Sequence, residues 1–440
     1  MATRYVTRKT TRLYEAATGR KYHMVLIFGY EVETTGPVAN GRMPAMFRGR
    51  SGFIDEDHLG RDAALELYFI DVGQGDAAFI VTPERKTILV DGGFDQRALG
   101  FLTWKYRLDQ PDASPVDIDL LVLSHADGDH LDGLIPVIRH PLIRVRRILH
   151  NGLALFRPGA FDEKLGDRSS DGRFLITRHD RLSDLDATKL ADPFADWKAA
   201  IEAEVEPVDY RAVDATTGVV DVGDPAIRLE TLGPRLTRLG RKRVYPWFGD
   251  HAHTINGHSV VFRITFGGIS AFFSGDLNVE GARHLLEDPA IAAAMDAHVL
   301  KTPHHGSHEF ERRFLEAVNP QISVVSSGDV PDHGHPRAAF LGALGLTQRS
   351  DRPLLFSTEI AATFQEAHDP PGTETDLTGL SVTDPADRRE TRIRFKRRLH
   401  GMINVRTDGE RLFSARRVAA AYWWESYDDP AARRSPATPA

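Results

Sequence analysis

The stretch Ser124-His125-Ala126-Asp127-Gly128-Asp129-His130 sets four metal-capable side chains within six positions, directly after the apolar run Asp119-Leu120-Leu121-Val122-Leu123. A rigid strand ending in a tight turn can aim imidazole and carboxylate groups at one small volume. Divalent cations of hard or borderline character take that mixture of nitrogen and oxygen donors. The alternative is a solvated acidic turn with two incidental histidines. Recurrence of similar residues at later strand ends argues against it, so the pattern predicts a catalytic metal site.

Working outward, Leu65 to Val72 and Ala77 to Thr82 read as strands joined by the turn Gly73-Gln74-Gly75-Asp76. Thr87 to Val90 is a third strand, ending in Asp91-Gly92-Gly93. Beyond the opening stretch, Leu131, Leu134, Ile135 and Ile138 recur at helical spacing. Arg147 to His150 is another strand. From about 152 to 225 the pattern weakens to a charged segment with one amphipathic helix near Phe194 to Val205, read as an insertion over one face of the core. Strands resume at Ile227 to Leu232, Ser259 to Phe266, Ile269 to Ser274, His298 to Thr302 and Gln321 to Ser326. Met402 to Arg406 and Arg411 to Ala415 form a hairpin around Asp408-Gly409. The organisation expected is an N-terminal extension over 1–61, with one strand-like run at His23 to Val32, then a core domain over 62–418 and a tail over 419–440. The tail from Asp428 has the composition of a disordered segment.

Composition narrows the classes. Of 440 residues, 41% are hydrophobic and 27% charged, as in ordinary globular protein. A formal charge of -7 excludes a globally basic nucleic-acid coat. Local basic clusters remain at Arg144, Arg146 and Arg147, and at Arg235, Arg238, Arg241, Lys242 and Arg243. Cysteine is absent, which removes disulfides, thiolate ligands and a cysteine nucleophile. No secretory signal opens the chain, and the apolar run Met24-Val25-Leu26-Ile27-Phe28 is too short to span a bilayer. The expectation is a cytoplasmic protein without membrane partners.

One regularity organises the motifs. Asp91, His125, Asp127, Asp129, His130, Asp276, His304 and His305 each fall at or just past the C-terminal end of an apolar strand, so the sheet can gather them along one edge. Eight such residues argue for two metals. Asp276, behind the small Gly275, suits a bridging carboxylate. A water shared by two cations becomes hydroxide near neutral pH and can attack phosphorus or carbonyl carbon without a protein nucleophile.

These residues resemble the metallo-β-lactamase superfamily, and within it the branch formed by the hydrolase domain of the ComEC competence DNA channel and its stand-alone relatives. The matching segments are Asp71-Val72-Gly73-Gln74-Gly75-Asp76, Leu89-Val90-Asp91-Gly92-Gly93, His125-Ala126-Asp127-Gly128-Asp129-His130-Leu131-Asp132-Gly133, Asn256-Gly257-His258-Ser259, Ser274-Gly275-Asp276, Pro303-His304-His305-Gly306-Ser307 and Gly334-His335-Pro336. The resemblance implies an α/β (α+β) fold, an αββα sandwich with its site along one edge. It implies two divalent ions, zinc or manganese. His125 and Asp127 would serve the first, Asp129 and His130 the second, with Asp276 bridging and His304 completing the ligands of the second metal. His305 is open to ligation or to contact with substrate phosphate. Asp129, His305 and His335 are the catalytic candidates. Asp91 would orient a ligand. Asp71 and Asp76 fix the hairpin, and Ser307 is a supporting candidate. Two departures stand out. Asp127 replaces a histidine usual in the superfamily, which favours manganese. The histidine usual between the first cluster and the bridging aspartate has no counterpart, Asn256 and His258 standing nearest.

Other features have plainer readings. His251 and His253 are spaced to ligate one metal but lie in a polar loop. His150 can hydrogen-bond locally, and His333 is a loop residue. Tyr422-Trp423-Trp424 packs on the core rather than stacking on a base. Asp55-Glu56-Asp57-His58 is an exposed acidic turn. The function expected is a metal-dependent phosphodiesterase or nuclease acting on DNA, RNA or a nucleotide. Alternatives are a hydrolase of a small lactam, lactone, thioester or phosphoester, or a metal-binding scaffold whose N-terminal extension or insertion docks a protein partner.

Overall fold

The computed structural model describes residues 2–328, 334–359, 401–417 and 424–427, together with the short strands Thr363–Phe364 and Thr375–Asp376. His333, Tyr422, Trp423 and the tail from Asp428 lie outside the described residues.

The first sixty residues build a sheet of their own. Its strands are β1 (Ala2–Val6), β2 (Thr10–Tyr14), β3 (Tyr22–Ile27), β4 (Glu31–Thr34), β5 (Arg42–Phe47), β6 (Arg50–Asp55) and β7 (Leu59–Gly60), in the order β3-β2-β6-β5-β4-β1-β7. The single run expected over 23–32 is instead two strands with a turn between them. Thr10–Tyr14 alternates exposed and buried positions, the period-2 pattern of a half-buried strand. Inward residues Val6, Leu13, Leu26, Val32 and Ile54 form a core shared with Ala415 and Trp424.

The rest of the described chain is a four-layer αββα sandwich. The first central sheet contains β8 (Leu65–Phe69), β9 (Ala78–Val81), β10 (Thr87–Val90), β11 (Leu120–Val122), β12 (Arg147–His150) and β13 (Asp209–Ala212). The second contains β14 (Val219–Val220), β15 (Ile227–Gly233), β16 (Val261–Phe266), β17 (Ile269–Phe273), β18 (Val299–Lys301), β19 (Ile322–Val325) and β20 (Leu354–Ser357). Strands β21 (Ile403–Thr407), β22 (Leu412–Arg417) and β23 (Trp424–Tyr427) return to the first sheet beside β8, giving the order β13-β12-β11-β10-β9-β8-β21-β22-β23. The second runs in chain order from β14 to β20.

Alternation along each strand separates three apolar layers. Leu65, Leu67 and Phe69 face the second sheet, where Phe69 and Phe262 stack on Phe273 at 5.9 and 4.8 Å between ring centroids. Tyr68, Phe79 and Leu121 face outward onto α1 (Arg97–Tyr106), α2 (Gly128–Leu131), α3 (Leu134–Ile138) and α4 (Asp192–Glu202). Phe272, Leu300 and Val325 face the opposite way, onto α6 (Val279–Leu286), α7 (Pro289–Ala294), α8 (Arg312–Val318) and α9 (Ala338–Thr347). Each fully buried aromatic or aliphatic side chain contributes roughly 1.5–3 kcal/mol.

Strand direction positions the site. β10 to β13 run parallel, and so do β17 to β20, with helices making the crossovers. Their C-terminal ends therefore line one edge of each sheet. The 152–225 segment is also more integral than a covering insertion. Its α4 sends Phe194, Trp197 and Ile201 into the outer core, and β13 and β14 complete the edges of both sheets. Arg406 joins the N-terminal sheet to the sandwich. It is buried, donates to Phe28 O at 2.8 Å and pairs with Glu66 at 3.0 Å. Among the described residues, no helix is long and apolar enough to cross a membrane.

Candidate metal centre

The turn after β11 does the main work. The chain leaves Val122 extended, Asp127 begins α2, and the short helix returns His130 beneath His125, with ring centroids 4.1 Å apart. Gly75 makes room for this turn. Its φ is +119°, and a Cβ there would lie 2.4 Å from Asp129 O, the carbonyl that accepts from Asp76 N. Gly275, at φ +51°, would place a Cβ 2.8 Å from Ser259 and 3.0 Å from Ser124, and delivers Asp276 from β17.

Four side chains meet there, with His125 and Asp127 beside them. His130 Nε2 lies 3.3 Å from Asp276 Oδ1 and 3.9 Å from Asp129 Oδ2. His305 Nε2 lies 2.9 Å from Asp276 Oδ2 and 3.2 Å from Asp129 Oδ2. Asp129, His130, Asp276 and His305 thus offer ligand atoms all within 4.8 Å of one another. His125 Nε2 is 3.7 Å from Asp127 Oδ2, and the Asp127 side chain is partly exposed. His304, to which the resemblance assigned the ligand place, is farther out, with Nε2 at 4.0 Å from Asp276 Oδ2 and a partly exposed ring. His305 occupies the inner position. Both histidines adopt left-handed backbone, at φ 45° and 51°, a strain of order 1–3 kcal/mol each that the surrounding core sustains.

A second layer orients these rings. His130 Nδ1 lies 2.9 Å from Asp91 Oδ2, and Asp91 Oδ1 accepts from Ser124 N at 2.7 Å. His305 Nδ1 lies 3.0 Å from Ser326 O and 3.4 Å from Asp76 Oδ1. With Nδ1 donating outward, each ring turns its Nε2 lone pair toward Asp276.

The charges respond to this crowding. Burial opposes protonation of His130 and His305, yet Asp276 outweighs it, helped by Asp129 at His130 and Asp76 at His305, and both rings are held well above the usual histidine range. Burial resists ionisation of Asp276, but His305 and His130 hold its carboxyl well below the usual range. Burial, reinforced by His130, pushes His125 down to about 3. Burial and then repulsion from Asp129 raise the Asp127 carboxyl.

Buried atoms with no hydrogen-bond partner test whether metal fits. His125 Nε2, His130 Nε2, His305 Nε2 and Asp276 Oδ1 are all in that condition. With the imidazoles neutral at Nε2, these facing lone pairs, 2.9–3.3 Å apart at His305 and His130, have no donor among them, cost about 1–3 kcal/mol each, and need a shared occupant. A divalent cation satisfies imidazole nitrogen and carboxylate oxygen together. The residues fit a metal centre.

Other candidates lie elsewhere. His258 is buried against Phe248, its Nε2 2.8 Å from Pro246 O, and Ser259 rather than His258 reaches the site, 3.1 Å from Asp276 N. Asn256 lies on α5 (His251–Gly257), with its carbonyl accepting from Ser259 Oγ. His253 pairs with Asp250 at 2.9 Å and Glu309 at 3.7 Å. Asp71 binds Gly73 N and Gly401 N, fixing the hairpin, and Ser307 Oγ accepts from Glu309 N. His335 is buried beside the histidine pair, with ring centroids 6.0 Å from His304 and 6.2 Å from His305. His150 accepts from Gly152 N, a local bond. Basic residues from both clusters are paired: Arg146 with Asp117 and Glu206, Arg235 with Glu287, Arg243 with Asp214. Sequence reading passes over Lys301, which is 4% exposed and lies against Asp76. Its signal was a charge closing the otherwise apolar run Val299-Leu300.

The model of the metallo-beta-lactamase superfamily matches residues 70–329, more than half of the chain and every one of the converging residues. The chain belongs to the metallo-β-lactamase superfamily. Among relatives, ComE operon protein 3 of Bacillus subtilis (strain 168) is 23% identical over 295 residues, 63% of this chain and 30% of that protein. Competence protein ComA of Neisseria gonorrhoeae is 35% identical over 85 residues, 19% of this chain and 12% of that one. This metallo-β-lactamase chain therefore matches less than a third of either relative's length. Among solved structures, CmlA, a diiron beta-hydroxylase from Streptomyces venezuelae, aligns with 14% identity over 69% of this chain and 54% of that one, at a TM-score of 0.32.

Proposed function

We propose that this chain is a metal-dependent phosphodiesterase whose substrate is DNA or RNA. The observation that carries the hydrolytic part is the convergence of unpartnered nitrogen and oxygen atoms around Asp276. His125 and Asp127 would hold one cation, and Asp129, His130 and His305 a second, with Asp276 between them. When bound, such a pair supplies hydroxide from water near neutral pH and neutralises charge on a phosphate. Five nearby carboxylates, Asp76, Asp91, Asp127, Asp129 and Asp276, make the surroundings rich in hard oxygen, which favours manganese over zinc.

The protein's own groups then have distinct tasks. Asp91 and Ser326 O hold the imidazoles of His130 and His305 in one tautomer. His304, partly exposed, and His335 behind it stand outside the inner group, suited to contact a phosphate oxygen and to pass a proton to the leaving oxygen. The phosphodiester assignment is supported by the resemblance to the ComEC-type branch, with ComE operon protein 3 and competence protein ComA among the relatives. The arginine clusters are compatible with backbone contacts but do not demand them, and Arg146, Arg235 and Arg243 already have acidic partners.

The test is turnover of bis(p-nitrophenyl)phosphate and of single-stranded DNA by purified protein with manganese, against an EDTA control. Metal-dependent cleavage of both supports the reading. Absence of either cleavage, with hydrolysis of a lactone or thioester instead, overturns the substrate class.

A further inference from the structure

Lys301 is the last residue of β18, and its side chain enters the space between the sheets behind the metal ligands. Buried lysines are rare unless paired. Here the ammonium contacts the Asp76 carboxylate, donates to Gly275 O at 3.2 Å and lies 3.9 Å from Asp276 Oδ1. The cavity beside it, lined by Asp76, Asp91, Ser124 and Ser326, has a volume of about 10 Å3. That holds one water at most, so bulk solvent does not compensate the charge.

Three strands of connection pass through this point. Asp76 belongs to the hairpin of the first sheet, and Lys301 to the second, so their contact ties the two sheets together at the site edge. Asp76 also touches His305 Nδ1 at 3.4 Å. Gly275 and Asp276 are reached through the carbonyl and the carboxylate. Five carboxylates crowd this region, and the Lys301 ammonium is a buried positive charge lying against two of them, Asp76 and Asp276.

We propose that Lys301 is a positioning residue for the metal centre, holding Asp276 in its ligating orientation while neutralising Asp76 behind His305. This rests on the dinuclear reading given above. The lysine touches neither substrate nor reacting atoms in this scheme; it acts through Asp276.

A cycle of variants tests it, read by calorimetric binding of Mn2+ alone and by thermal melting in EDTA. Asp76→Asn leaves the ammonium with Gly275 and Asp276 and sets the reference affinity for Mn2+, with whatever Asp76 contributes through His305 already removed. Lys301→Met should melt lower, because the buried Asp76 carboxylate loses its ammonium and keeps imidazole contacts alone. The double variant Asp76→Asn/Lys301→Met removes both charges, should recover the melting temperature, and should still bind Mn2+ roughly 10–100-fold more weakly than Asp76→Asn, the usual cost of losing a group that orients a ligand. Equal Mn2+ affinity in the double variant and in Asp76→Asn would assign Lys301 to the fold alone and overturn the proposal. A parent chain that takes up neither Mn2+ nor Zn2+ would overturn the metal reading itself, a result visible before any variant is made.

Discussion

Asp91 and His130 meet at 2.9 Å with both side chains withdrawn from solvent, and the same carboxylate accepts from Ser124 N through its other oxygen. The pair explains why a buried acid stands one turn behind the ligand cluster. It locks the imidazole with Nδ1 donating, so that Nε2 faces Asp276. An amide in place of the acid has one acceptor for two donors. Asp91→Asn should therefore leave a folded protein that binds Mn2+ about 10–100-fold more weakly, measured by calorimetry.

Removing ligands should be more severe. Asp276→Asn and Asp129→Ala are each expected to abolish metal-dependent hydrolysis of bis(p-nitrophenyl)phosphate while the circular dichroism spectrum stays that of the parent. His253→Ala, on a residue paired with Asp250 and Glu309, should stay within about threefold of the parent rate. A loss equal to that of Asp276→Asn would place the α5 histidines in the site.

The glycine behind the metal turn gives a backbone test. Gly75→Ala puts a methyl 2.4 Å from Asp129 O in a conformation that L-residues rarely adopt. The expected cost is about 1–3 kcal/mol of stability by urea titration, together with weakened Mn2+ binding as the Asp129 turn is displaced.

Much of this site was legible because its ligands sit next to the apolar runs that carry them. Asp91, His125 and Asp276 follow short buried strands, and the parallel order of β10 to β13 and β17 to β20 turns those local signals into one edge. What sequence pattern could not give was tertiary choice. The left-handed turn at Pro303–Gly306 sends His305 inward and His304 out, although the two are adjacent in sequence. His258 is drawn away by Pro246 O and Phe248, leaving Ser259 at the site. Lys301 was hidden by the apolar character of its own strand. The N-terminal sheet was missed because strands such as Thr10–Tyr14 are short and polar on one side, and β13 and β14 because edge strands need little hydrophobic pattern.

Two histidines outside the metal cluster set an acid limit. Burial keeps His150 and His258 neutral, pushing each down to about 3. The folded value lies below the unfolded one, so the unfolded chain takes up a proton that the native chain refuses. Stability should fall as pH drops from about 6.5 toward 3, each residue adding a slope approaching ~1.4 kcal/mol per pH unit. Urea midpoints in EDTA across that range should flatten in His258→Gln.

The most direct measurement is anomalous diffraction from crystals soaked in manganese. The account predicts two peaks flanking the Asp276 carboxylate, one beside His125 and Asp127 and one among Asp129, His130 and His305. Soaked crystals with no peak within ligating distance of Asp276, or with manganese bound at His251 and His253 instead, would contradict it.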